Sequence, residues 1–177
     1  MTWAYALTPQ EEAQAITIGF ERQRPMLAQP ERNRNYSEGD IWETWQHAIA
    51  VGSEIAAARM LGLEDFTPHY NTYKKRLDVP GFEVRYCFTS KYVGYPSHSL
   101  RISEKVDDLN VRYILITGGP EAKTRRTAEN GWRGPKYKAA GWFWGADAIR
   151  PEYVAPYGNG NYLVPVTKLN TMDTINA

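Results

Sequence analysis

Eight consecutive residues carry the densest chemistry in the chain: Asp78-Val79-Pro80-Gly81-Phe82-Glu83-Val84-Arg85. Pro80-Gly81 predicts a type II turn. Pro presets φ at the first central position and Gly accepts positive φ at the second. A hairpin closed there pairs Val79 with Phe82, Asp78 with Glu83, Leu77 with Val84 and Arg76 with Arg85. Side chains alternate between the faces of a strand. Leu77, Val79, Phe82 and Val84 therefore share an apolar face, and Arg76, Asp78, Glu83 and Arg85 share the other. Directly opposed Cβ atoms lie about 5 Å apart, and like charges so placed repel. Two facing carboxylates need a partner. A divalent cation is one solution, because hard cations prefer carboxylate oxygens. Basic groups beside such an ion could hold or polarise a phosphate. Arg76 and Arg85 are the other solution, since they can neutralise Asp78 and Glu83 with no metal at all.

The elements that must position these residues are legible from periodicity and caps. Thr8-Pro9-Gln10-Glu11 opens a first helix, with Thr8 as N-cap, Pro9 at the first helical position and Glu11 completing a capping box. That helix is expected to stop near Arg24, before Pro25. Residues 25–36 read as a linker. Ser37 to Asp40 caps a second helix from Ile41 to Leu61, closed by Gly62. Small residues over 48–52 and 56–58 would let it lie close on a sheet, and Glu54 sits inside that segment as the candidate helix carboxylate. Glu54 could equally be a rim charge paired with Arg59 or a lysine.

Strands are expected over 71–77, 82–89, 100–103, 112–117, 137–144 and 162–166. Tyr113 to Ile116 is apolar on both faces, as in a buried central strand. Pro165 places the last strand at an edge. The domain reading is an N-terminal helix and linker over 1–36, an α/β domain over 37–169 and a loose tail over 170–177.

The chain has 177 residues and a net charge of +1. No global basic field announces nucleic acid, so any such binding must come from local clustering. The segment 120–138 supplies the cluster, with Lys123, Arg125, Arg126 and Arg133 among glycines, prolines and Trp132. Such a loop could contact phosphates or simply be solvated. The single cysteine, Cys87, excludes an internal disulfide framework and a cysteine-based zinc site, and it fits a reducing cytosol. No apolar run approaches the roughly 18 residues of a membrane span, and no signal-peptide pattern opens the chain.

Asp78, then Glu83-Val84-Arg85, with Glu54 on the preceding helix, resembles the PD-(D/E)xK nuclease superfamily. Its signature is an Asp on one strand and (Asp/Glu)-x-Lys on the next, with a helix before them that often adds a Glu. Leu77 stands where the signature has Pro, and Arg85 stands where it has Lys. The likeness spans roughly residues 40 to 145, and the layout is similar to small phage-encoded members.

The resemblance implies an α/β fold of the restriction-endonuclease type, with N-terminal helices followed by a mixed sheet of four to five strands. It implies a Mg²⁺-dependent deoxyribonuclease, with Mn²⁺ as a substitute, cutting as an endonuclease rather than an exonuclease. Asp78, Glu83 and the Val84 carbonyl would hold the metal, and Asp78, Glu83, Arg85 and Glu54 would form the catalytic set. DNA would be the partner, a homodimer the assembly and the (host) cytoplasm the location. Arg85 cannot serve as a base, because a guanidinium does not deprotonate. Lys74, Lys75 or Lys91 could supply an amine instead. Two readings without catalysis stand beside this one: a nuclease-fold nucleic-acid-binding module, and a viral structural or assembly protein.

Overall fold

The computed structural model of the protein describes residues 3–27, 41–70, 76–87, 99–118 and 136–176. The expected strand residues 71–75 and 88–89, the 37–40 cap and the basic loop with Lys123, Arg125, Arg126 and Arg133 lie outside these.

A short strand β1 (Ala4–Ala6) leads into helix α1 (Pro9–Leu27). The capping box forms: the Glu11 main-chain N–H donates to Thr8 Oγ1 at 3.2 Å, and the Thr8 N–H donates to Glu11 Oε2 at 2.9 Å. The helix runs past Pro25 to Leu27, further than the sequence suggests. In the last turn a proline removes one main-chain bond on which little else depends. Helix α2 (Ile41–Met60) ends in a Schellman motif. Gly62, at φ +78°, donates to the Arg59 carbonyl, and Leu63 donates to that of Ala58. The two helices pack so closely that a Cβ on Gly19 would run into the Ala48 backbone.

The main sheet has the order β1-β5-β4-β2, with β2 (Phe82–Tyr86), β4 (Arg112–Gly118) and β5 (Lys136–Trp144). β2 and β4 are parallel, and the β4–β5 and β1–β5 pairs are antiparallel, so the sheet is mixed. A register shift at Leu115/Ile116 marks a bulge across from Ala140. A separate antiparallel pair joins β3 (Ser99–Ser103) to β6 (Asn161–Pro165). These strands fall where alternation put them, except β1, which at three residues is too short to show a period.

The sheet is covered on both faces. Ile114, Ile116, Val84, Phe82 and Tyr137 pack under the helices with Ile18, Ile49 and Ile55. On the opposite face Tyr113, Leu115 and Phe143 pack with Leu100, Ile102 and Val164 of the two-stranded pair. Tyr113 to Ile116 are each at most 1% exposed, as expected of a central strand. The segment expected to be a loose tail is instead packed over 170–176. Asn170 bridges to Trp142, Met172 and Ile175 are buried in the helix-side core, and Trp142 Nε1 donates to Thr171.

The expected hairpin is only partly built. Gly81 has φ +86°, and Val79 and Phe82 exchange two main-chain bonds around the turn. There the ladder ends, and Arg76 and Leu77 are not in a strand. Asp78 Oδ2 accepts the Val84 N–H at 3.0 Å, taking the place that Leu77 would have filled. The physical reason is local: a side-chain carboxylate two residues before the turn can accept the main-chain N–H that a second strand's carbonyl would otherwise take.

Candidate functional site

Strand alternation sets the site. Phe82, Val84 and Tyr86 point to the helices, so Glu83 and Arg85 point to the opposite face with Tyr113 and Leu115 of β4. Arg85 lies at the centre. Its Nη1 is 3.2 Å from Glu83 Oε2, 3.8 Å from Asp78 Oδ2 and 3.5 Å from the Val84 carbonyl. Its Nη2 is 2.8 Å from Asp107 Oδ1, and its Cζ lies 5.1 Å from the centre of the Tyr113 ring. Asp107 is fixed in turn by the Ser103 N–H, which donates to Oδ2 at 2.8 Å. Burial works against the charge of Arg85. Asp107, Asp78 and Glu83 together outweigh it and hold the guanidinium protonated.

The sequence places Asp78 and Glu83 side by side, and both do stand against one nitrogen of Arg85. Arg76 is exposed, so the expected four-residue set is not symmetric about the turn. Asp107 takes the second basic contact through Arg85. Asp107 closes a turn, with its N–H on the Ser103 carbonyl. Turn chemistry hid the second oxygen. The doublet Asp107-Asp108 is the available signal, because one aspartate suffices for the turn.

Glu54 is elsewhere. Both its oxygens accept from Arg22, at 2.6 and 2.8 Å, and the side chains are only 9% and 6% exposed. Arg22 Nε also donates to the His69 carbonyl at 2.9 Å, tying both helices to the segment after α2. Burial raises the Glu54 carboxyl to about 7 against the pull of Arg22, and burial lowers the Arg22 guanidinium while Glu54, with Asp78, more than restores it. The bidentate geometry argues for an ionised pair. Arg59, an expected partner of Glu54, instead donates from Nε to Glu11 at 2.9 Å. Glu54 therefore does not join Asp78 and Glu83 around one point, as the nuclease signature would have it. Among the described residues no three His, Cys, Asp or Glu side chains are gathered to hold an ion. Asp78 still acts electrostatically on both Glu54 and Arg22, and Arg85 on Glu54.

Arg22 was missed, although the pattern contains it. It falls seven residues after Ala15 and four after Ile18, on the stripe of α1 that is buried. A charge on a buried stripe asks for a counter-charge.

The same sheet face continues beyond the two-stranded cover. Lys138 pairs with Thr117, two residues after Leu115, which in turn pairs with Arg85. Lys136 and Lys138 are exposed and flank the buried Tyr137, which points to the helices. Ala6 and Ala4 are their neighbours on β1, so the side chains next to them on that strand are small. Comparison with protein-family models, with curated proteins and with solved structures gives no match.

Proposed function

We propose that the chain is a divalent-metal-dependent nuclease that hydrolyses DNA phosphodiester bonds. One observation carries the reading. Asp78, Glu83 and the Val84 carbonyl, the donors expected for Mg²⁺ or Mn²⁺, all approach a single point, 3.2 to 3.8 Å from their oxygens, where Arg85 Nη1 stands. Oxygen donors converging from one strand and one turn suit a hard cation. Bound there, the ion would acidify a water and offset charge on the scissile phosphate.

The chain's own residues do the rest. Arg85 is a two-ended donor suited to a phosphoryl group. Asp107 and Tyr113 set its direction. Glu54, held by Arg22, is a buried counter-ion rather than a ligand. Lys136 and Lys138 lie on the same face and would take backbone phosphates beside the one that is cut. Lys123, Arg125, Arg126 and Arg133 belong to the segment that joins β4 to β5, next to Lys136, and would extend that contact. Endonucleolytic cutting, a homodimer, a phage origin and a cytoplasmic location follow from the resemblance alone. No helix among the described residues is long and apolar enough to cross a membrane.

A non-catalytic reading has one observation in its favour: Arg85 already pairs Asp78, Glu83 and Asp107 without an ion. The deciding experiment is incubation of linear, circular and branched DNA with wild type, Asp78→Asn and Glu83→Gln in Mg²⁺ or Mn²⁺. Cleavage by wild type that both substitutions abolish, with melting temperatures within a few degrees, is the expected result. DNA left intact by wild type in every form would end the hydrolase reading.

A further inference from the structure

Arg85 stands where the donors expected for a metal meet, and it is held from behind. A Mg²⁺ ion needs oxygens at about 2.0 to 2.1 Å, so the ion and Nη1 cannot share the point. The two ends of the guanidinium are held differently. Nη1 faces Glu83 at 3.2 Å, 10% exposed, and Asp78 at 3.8 Å, 25% exposed, so its contacts are the longer ones and Asp78 is the side that water reaches. Nη2 faces Asp107, whose side chain is 7% exposed and locked to the Ser103 N–H. The ring of Tyr113 lies against the guanidinium and would remain so through a small rotation.

We propose that Arg85 is a tethered counter-ion: a divalent cation displaces its Nη1 end from Asp78 and Glu83, while Asp107 keeps the Nη2 end. This rests on reading Asp78, Glu83 and the Val84 carbonyl as the cation site. Ion entry and arginine release are then one exchange: the Nη1 hydrogen bond to Glu83 and the ion pair to Asp78 are given up as the ion takes both carboxylates, and no covalent bond changes. The released Nη1 is left beside the ion with its donors unspent, which is where a phosphate oxygen would be met. A lysine has one ammonium and could not hold Asp107 while reaching the phosphate. The arginine at this position thereby gains a role that the signature's lysine lacks. Without an ion, the same arm keeps the two carboxylates from repelling each other.

The test is Mn²⁺ binding by calorimetry to wild type, Arg85→Gln and Arg85→Ala, with circular dichroism checking the fold. Removing the competing charge should tighten Mn²⁺ binding about tenfold, the worth of one or two partly exposed ion pairs. It should also enlarge the rise in melting temperature that Mn²⁺ produces. A second measurement needs no substitution. In arginine-labelled wild type, saturating Mg²⁺ should shift the Arg85 guanidinium resonance, and in Asp78→Asn it should not. Equal or weaker Mn²⁺ binding by both variants, or an unmoved Arg85 resonance in metal-bound wild type, overturns the exchange. Tighter binding with no DNA cleavage would uphold it while ending the hydrolase reading. Cleavage that depends on Asp78, with Mn²⁺ affinity unchanged in Arg85→Gln, would do the reverse.

Discussion

Replacing Glu54 with Gln separates a catalytic carboxylate from a buried counter-ion. In the folded protein Arg22 donates to both Glu54 oxygens at 2.6 and 2.8 Å, and neither side chain is more than 9% exposed. Solvent screening is therefore slight. The glutamine keeps one acceptor but turns an amide donor toward the second guanidinium nitrogen. Arg22 cannot leave easily, because its Nε is bonded to the His69 carbonyl. Breaking one partner of a buried pair costs about 3 to 5 kcal/mol. With a slope near 2 kcal/mol per molar urea, the midpoint should fall by roughly 2 M. Arg22→Met with Glu54→Leu removes both charges at similar volume and should cost far less than the sum of the singles, leaving a coupling energy of about 3 kcal/mol. The assay is urea unfolding at pH 8, where the carboxyl is ionised, followed by tryptophan fluorescence. Singles costing less than about 1 kcal/mol and adding in the double would refute a buried ion pair. A Glu54→Gln protein that melts normally yet fails to cut DNA would return Glu54 to the catalytic set.

The Glu11 carboxyl is opposed by burial but receives bonds from Thr8, Tyr5 and Arg59, which hold it below its ordinary value of 4.5. Its folded pKa lies below the unfolded one, so its contribution is present above about pH 4.5 and lost as pH falls further. Thermal melts of Glu11→Gln should accordingly show a smaller loss on acidification than wild type, and parallel curves would count against this account. If Lys136 and Lys138 meet backbone phosphates, changing both to Ala should lower the slope of log K against log salt by about 2 in DNA-binding titrations, and an unchanged slope would assign them to solvent.

Much of the scaffold was legible because it rests on local rules. Thr8 and Glu11 form the box that their spacing announces, Gly62 closes α2 and Gly81 closes the turn. β3 follows its alternation, and β4 follows its run of apolar residues on both faces. What was not legible is tertiary. The pairing of β2 with β4 depends on a partner met after a long crossover, and no local pattern specifies it. The Arg22–Glu54 pair joins residues 32 apart in sequence, and Arg85–Asp107 joins residues 22 apart. Sequence put Asp78, Glu83, Arg85 and Glu54 in the candidate site, and the structure gathers the first three. Sequence could not say that Glu54 would be taken by Arg22, or that the short C-terminal segment would find a groove beside Trp142.

The bond from the Val84 N–H to Asp78 gives one side chain two employments, and they would be lost at different times. By taking the Val84 N–H, Asp78 occupies a main-chain donor that a foreign strand could otherwise use, whether or not the protein cuts anything. A descendant that abandoned chemistry would still be held to Asp78 by solubility, while Glu83 and Arg85 became free to drift. Among diverged copies of this chain, retention of Asp78 would speak for a sealed rim, and joint retention of Glu83 with Arg85 would speak for a working site.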